Sequence, residues 1–139
     1  PSSCLASCLA DQAPAKQLAP ANGSVARYQL QAWLNLVATE LHKGGFSPLF
    51  NPATPAEVKA ATTERLQGRL KWVDSQLANR PYLLGDQFSV ADGYLFVVLS
   101  WAPRVGVDLS AHTHLQAFSA RVAARPAVQK ALRDEGLLA

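Results

Sequence analysis

Residues 88–96 read Phe-Ser-Val-Ala-Asp-Gly-Tyr-Leu-Phe, and a largely apolar run continues from there to Trp101. Ser89 and Asp92 stand three positions apart, the spacing of a reciprocal capping box in which each side chain bonds the backbone amide of the other residue. The helix that follows is apolar on almost every side, which is typical of a helix enclosed by the rest of a protein. Because water would not reach its first turn, the box would satisfy amides that otherwise stay unpaired. The stretch therefore predicts a wholly buried central helix capped by Ser89 and Asp92.

The preceding part of the chain contains a second helix-length block, from Ser24 to Lys43. Placed at about 100° per residue, its apolar side chains fall on one broad arc and its polar ones on a narrow stripe. We expect Gly44 and Gly45 to end this helix. The polar stripe consists of Gln31, Asn35, Thr39 and His42.

A third helix is predicted to run from Pro55 to about Ala78. Thr54 is the expected N-cap, Pro55 the first helical residue, and Glu57 the acid of the first turn. Gly68 interrupts the helix at a cost of about 1 kcal/mol relative to alanine, and close packing against another helix would compensate for it. The residues expected to face inward are Val58, Thr62, Leu66, Leu70, Val73 and Leu77.

Two shorter helices complete the pattern, one over about 110–124 and one that begins at Pro126 and stops at Gly136. His112 and His114, near the start of the first, are expected at the surface. Nothing in the chain alternates in the manner of a strand. The sequence therefore predicts an all-α bundle around the buried central helix.

Composition narrows the functional classes. Of 139 residues, 49% are hydrophobic and 17% charged, which fits one globular domain rather than a disordered chain. The most apolar run is too short to span a membrane, and no signal peptide is visible, so we expect a cytoplasmic protein without a membrane partner. The net charge of +3 comes from scattered basic residues, so nucleic-acid binding is only a remote alternative.

Cys4 and Cys8 stand four positions apart at the amino terminus. On a helix they would share one face, and we expect ordinary burial rather than a redox pair. No third cysteine or nearby histidine completes a zinc spacing, so no metal site is expected.

The capping-box residues and several other stretches resemble motifs of a known protein family. Residues 88–96 resemble the capping-box motif that opens the central helix in the all-helical domain of cytosolic glutathione transferases. Three other stretches are similar to the bacterial beta class of that family. They are Trp33-Leu34-Asn35 with residues 38–43, Ser47-Pro48-Leu49-Phe50, and Ala124-Arg125-Pro126-Ala127-Val128-Gln129.

The resemblance covers nearly everything from about Leu9 to Gly136. It implies that residues 24–139 form the C-terminal helical domain of a beta-class-like enzyme, that residues 14–23 are a linker, and that residues 1–13 are the remnant of the last helix of a thioredoxin-like domain. Most of that amino-terminal domain, which binds glutathione in the family, is absent from this sequence. The chain begins at Pro1 and contains no methionine, so we expect either a trimmed initiator or a piece of a longer protein.

The resemblance also implies a function and a set of site residues. The complete enzyme would conjugate glutathione to hydrophobic electrophiles, would work as a homodimer, and would need no cofactor besides glutathione as co-substrate. His42 would be the catalytic residue, and Trp101 would line the hydrophobic substrate site. The residues implied as glutathione contacts are Asn35, Glu40 and Lys43.

Alternatives remain open for these residues and for the whole chain. His42 could instead cap the dipole of its helix, and Trp101 could be core packing. Because the glutathione-binding domain is largely missing, we expect the chain alone to be inactive. A different class of function is a non-catalytic glutathione-transferase-like module that binds another protein through an uncovered helical face.

Overall fold

A computed structural model describes residues 2–138, and its regular elements are helices. Within these residues the only β pairing is an isolated bridge between Tyr82 and Gly85, so the all-α expectation is confirmed. Pro1 lies outside the described residues. The α-helices are α1 (Ser2–Gln12), α2 (Val25–Leu36), α3 (Ser47–Phe50), α4 (Ala56–Gln76), α5 (Val90–Leu99), α6 (Thr113–Ala123) and α7 (Pro126–Asp134); a π-helical stretch, the π segment (Val37–Phe46), joins α2 to α3, and 3-10 helices span Pro14–Lys16 and Ala102–Val105.

Helix α5 is the centre of the bundle, in contact with α1, α2, the π segment and α6. Leu95 and Val98 are fully buried in the common core. The expectation that the whole helix is buried is wrong for Val97, whose side chain is 47% exposed. The described neighbours enclose only part of the circumference of α5, and Val97 lies on the side they leave open.

The capping box of α5 is confirmed. One carboxylate oxygen of Asp92, Oδ2, accepts from the Ser89 amide and the Ser89 hydroxyl, each at 2.8 Å. The other, Oδ1, accepts from the Leu83 amide at 2.8 Å, so the box also fixes the loop that precedes the helix. Burial raises the pKa of Asp92, although these hydrogen bonds oppose the rise.

The expectation that Gly44 and Gly45 end the second helix is wrong. The helix widens at Val37 and continues through both glycines, and the Ser47 amide donates to the His42 carbonyl five residues earlier. Neither glycine has a positive φ. A Cβ on Gly45 would lie 2.8 Å from Leu66 Cδ1 of α4. This glycine therefore permits close approach of two helices instead of a helix stop.

Helix α4 departs from its sequence prediction at three positions. Its N-cap is Pro55 rather than Thr54, because the first helical hydrogen bond runs from the Lys59 amide to the Pro55 carbonyl, and no side chain caps this end. Val58 is 45% exposed, since the first turn of α4 extends beyond the core. A Cβ on Gly68 would meet nothing within 4 Å, so no close packing compensates for this glycine. The other inward-facing residues are confirmed as buried: Thr62, Leu66, Leu70, Val73 and Leu77.

Two histidines connect α6 to α4. The surface expectation is wrong for His112, which is 5% exposed, because its Nε2 lies 2.8 Å from Gln67 Oε1. His114 is exposed as expected, and its Nδ1 lies 2.9 Å from Asp74 Oδ2. Asp74 Oδ1 also accepts from the Leu115 amide at 2.8 Å. Burial would raise the pKa of Asp74, but the bonds from His114 and Leu115 hold it below its usual value.

Helix α1 rests on the bundle through one side only. Ala10 is buried, and Asp11 forms a two-pronged ion pair with the buried Arg27 of α2, with both N–O distances at 2.7 Å. Cys4 and Cys8 are free, exposed thiols that line an open groove between α1 and α2, so the expectation of their burial is wrong.

Candidate functional site

Five rings meet where the π segment, α3 and the end of α5 converge. The His42 and Trp101 rings have centroids 4.9 Å apart and meet edge to face at 73°. The ring centroids of Phe50 and Phe46 lie 6.0 and 6.2 Å from that of Trp101, and both pairs also meet edge to face. The Tyr94 hydroxyl lies 2.7 Å from His42 Nδ1. We call these five residues the aromatic cluster.

The aromatic cluster combines apolar surface with two neutral polar groups in contact, the imidazole of His42 and the phenol of Tyr94. Burial lowers the pKa of His42, and the positive charge of Lys43 lowers it further. Burial raises the pKa of Tyr94. At neutral pH the imidazole is therefore uncharged and the phenol protonated, so that His42 can donate one hydrogen bond and accept another. Such a group can hold a polar atom beside an apolar ligand.

Of the five residues implied as site residues, the structure brings two together: His42 and Trp101. Asn35 is exposed and lines a groove of about 670 Å³ between α1 and α2. Glu40 forms a half-exposed ion pair with Arg69 of α4 at 2.9 Å. Lys43 is exposed and lines a different groove, beside α3 and the start of α4.

The shared stripe of Asn35 and His42 assumed regular α-helical winding. From Val37 onward the i to i+5 winding turns the chain by a smaller angle per residue, so a projection at 100° loses register there. Asn35 lines the groove with α1, whereas His42 contacts Tyr94 and Trp101. The site roles of Asn35, Glu40 and Lys43 stay predictions.

The sequence and the fold both match proteins of known family. The profile of "Glutathione S-transferase, C-terminal domain" matches residues 36–126, from the end of α2 to the start of α7. Over 129 residues the chain is 46% identical to glutathione S-transferase GstA of Escherichia coli O157:H7, covering 93% of this chain and 64% of that protein. This chain belongs to the glutathione S-transferase family.

Other glutathione S-transferases also resemble this chain in sequence and in fold. The chain is 36% identical to GST-4.5 of Xanthomonas campestris pv. campestris, covering 66% of its length. It superposes on the bacterial enzyme BphK, solved as a ternary complex, with a TM-score of 0.95 and 58% identity over 97% of this chain and 67% of that one. It also superposes on a Sphingomonas chungbukensis enzyme described as bacterial beta class, with a TM-score of 0.94 and 40% identity over 99% of this chain and 68% of that one. The resemblance to beta-class helical domains is confirmed, and the chain spans 64% and 66% of the length of the two sequence relatives.

Sequence reasoning missed Tyr94 and Phe50 in this glutathione S-transferase chain. In the sequence, Tyr94 is one residue of a largely apolar helix. A tyrosine hydroxyl in a buried helix needs a hydrogen-bond partner, and this need is the signal that would have pointed to a polar contact. Phe50 contacts Trp101 only because the helix continues past Gly45.

Other candidate sites are absent from the described residues or lie elsewhere. Between residues 2 and 138, no three His, Cys, Asp or Glu side chains gather closely enough to hold a metal ion. Nor does any helix over this range have the length and apolar character needed to cross a membrane. A cavity of about 710 Å³ lies between α1, the 14–22 loop and the start of α5, where Ser89 lines it, and the aromatic cluster does not contribute to its wall.

Proposed function

We propose that this chain supplies the electrophile-binding surface of an enzyme that conjugates glutathione to hydrophobic electrophiles. The observation that carries the proposal is that a neutral imidazole, that of His42, meets the Trp101 ring edge to face within the aromatic cluster. An aromatic electrophile would pack against Trp101 and Phe50, which is 44% exposed. A relative 45% identical to this chain is described as complexed with glutathione, which supports the choice of thiol.

The chemistry requires a thiolate. The glutathione sulfur forms a bond to the electrophilic carbon, and in a substitution the leaving group departs with its electron pair. A hydrogen-bond donor beside the sulfur stabilises the thiolate and lowers the pKa of the thiol. We assign this donor role to the neutral His42. In the same proposal Asn35, Glu40 and Lys43 contact glutathione, and glutathione is a co-substrate with no further cofactor.

The experiment that tests this function compares the chain with a chimera. The chimera carries this chain in place of the matching 67% of BphK. With glutathione and a chlorinated aromatic substrate, we expect conjugation by the chimera and none by the 139-residue chain. In the chimera Trp101→Ala should raise KM for the electrophile, whereas Tyr28→Ala, an exposed aromatic outside the aromatic cluster, should not.

Two outcomes would contradict the proposal. One is robust conjugation by the purified chain alone, because the proposal places part of the glutathione site outside it. The other is an active chimera in which Trp101→Ala and Tyr28→Ala have the same kinetics.

The proposal extends to assembly and location. We propose that the complete enzyme is a homodimer that detoxifies electrophiles in the bacterial cytoplasm. The half-exposed Trp72, in contact with Trp33 at 5.5 Å, supplies an apolar contact surface on α4. Free exposed Cys4 and Cys8 are typical of a reducing compartment. Sedimentation of the chimera tests the dimer, which Trp72→Glu should weaken; a monomeric unsubstituted chimera would contradict it. Fractionation of the native host tests the compartment.

A second candidate is a non-catalytic module that binds another protein. It is favoured by exposed apolar side chains on two helices in contact, namely Leu5 and Leu9 of α1 at 61% and Val97 of α5 at 47%. Sedimentation of the chain over a range of concentrations tests it. Self-association that Leu9→Glu abolishes would support this candidate, and a strictly monomeric chain would count against it.

A further inference from the structure

The hydrogen bond between Tyr94 and His42 has two possible directions. The hydroxyl oxygen of Tyr94 lies 2.7 Å from Nδ1 of His42, and one proton occupies the line between them. If the phenol donates, the imidazole carries its proton on Nε2. If Nδ1 donates, Nε2 is bare and can only accept.

Three observations favour donation by the phenol. The imidazole nitrogen is much more basic than a phenol oxygen, so the phenol proton stabilises the pair best when it faces Nδ1. Within residues 2–138 the Tyr94 hydroxyl makes no other protein hydrogen bond, so the reverse direction would leave its own proton without a protein acceptor. Burial keeps the phenol of Tyr94 protonated by raising its pKa.

The surroundings also hold the imidazole ring in one orientation. Trp101 lies against it edge to face at 73°, and the Tyr94 ring approaches it at 85° with centroids 6.0 Å apart. No other protein group in the described part of the chain forms a hydrogen bond with the His42 imidazole. Nε2 is therefore the nitrogen left for a ligand.

We propose that Tyr94 is a positioning residue that holds His42 in the Nε2–H tautomer, so that His42 offers a donor, not an acceptor, to a bound ligand. The ligand being a thiolate rests on the proposed function. The tautomer itself does not, because it follows from contacts within this chain.

Two other histidines of the chain serve as internal references. His114 Nδ1 faces Asp74 Oδ2, and because a carboxylate only accepts, the proton of His114 must be on Nδ1. His112 Nε2 faces Gln67 Oε1, whose amide nitrogen donates to the Asp108 carbonyl, so the proton of His112 is on Nε2.

The test is long-range proton–nitrogen NMR on the nitrogen-15-labelled chain at a pH of about 8.5, well above the ordinary histidine pKa of about 6.5. A His42→Asn variant assigns the His42 signals. We expect His42 to give the pattern of His112, with an unprotonated Nδ1. If His42 in the unsubstituted protein instead gives the pattern of His114, with the proton on Nδ1, the proposal is overturned by that spectrum alone.

The variant that removes only the hydroxyl is Tyr94→Phe, and its matched control is Tyr28→Phe at an exposed position. Losing one net hydrogen bond should lower the ratio of Nε2–H to Nδ1–H tautomer at His42 by about two- to twelvefold. The control should leave it unchanged. An unchanged ratio in folded Tyr94→Phe would also overturn the assignment.

If the tautomer is found but His42→Asn leaves conjugation by the chimera intact, the positioning by Tyr94 stands and the proposed function of His42 fails.

Discussion

Replacing Asp92 by alanine removes the side chain on which the central helix depends most. Asp92 is 0% exposed and accepts from two backbone amides, those of Leu83 and Ser89, in residues that are themselves 0% and 2% exposed. Asp92→Ala leaves both amides without an acceptor. Water does not reach them without a local opening of the loop or the helix start.

The magnitude follows from those two amides. A buried donor left without a partner costs about 1–3 kcal/mol, which gives about 2–6 kcal/mol for the pair. Relief of carboxylate burial offsets part of this, as the raised pKa of Asp92 indicates. We therefore expect Asp92→Ala to lower the free energy of unfolding by about 2–5 kcal/mol. The sequence alone predicts only about 0.5–2 kcal/mol for a lost cap, because it does not reveal the bond to Leu83.

The assay is urea unfolding followed by circular dichroism, with Asp108→Ala as a matched control. Asp108 also accepts from a serine amide and hydroxyl, both of Ser110 at 2.8 Å, but in an exposed turn. The control should change stability by less than about 0.5 kcal/mol. Equal effects of the two substitutions would refute the argument that burial makes Asp92 important.

Three further predictions concern stability. Gly68→Ala should stabilise the chain by about 0.5–1 kcal/mol in urea unfolding, because its Cβ meets open space; a loss of stability would contradict this. Gly45→Ala should destabilise it by about 1–3 kcal/mol, because its Cβ would lie 2.8 Å from Leu66 Cδ1; a neutral result would show that the helices can separate freely. Since the folded pKa of Asp92 is raised, the folded state holds the extra proton, and the contribution of Asp92 to stability should fall as the pH rises from 3.8 through the folded pKa. The stability of the unsubstituted chain relative to Asp92→Asn, measured across that range, should fall with pH; a rise would contradict the sign.

The parts of the fold that the sequence predicts are those set by local chemistry. Ser89 and Asp92 lie three residues apart, so their reciprocal bonds need no distant partner, and Pro126 begins α7 because its missing amide is harmless in a first turn. The errors arise where another element decides. Gly45 lies within a helix that packs closely against Leu66 of α4, and no local pattern shows that neighbour.

The site follows the same division. The resemblance pointed to His42 and Trp101, and the structure puts their rings 4.9 Å apart. Tyr94 was not predicted, because its role depends on a residue 52 positions away. Phe50 depends on the π segment, whose winding no helical projection at constant angle reproduces.

We propose above all that His42, as part of the aromatic cluster, stabilises a glutathione thiolate. The most direct measurement is kcat/KM for conjugation of glutathione to a chlorinated aromatic by the BphK chimera and its His42→Asn variant, with His114→Asn as the control. A hydrogen bond to a charged group contributes about 1.5–3 kcal/mol, so His42→Asn should lower kcat/KM by about 10- to 150-fold and His114→Asn should leave it unchanged. A His42→Asn chimera as active as the unsubstituted one would contradict the claim.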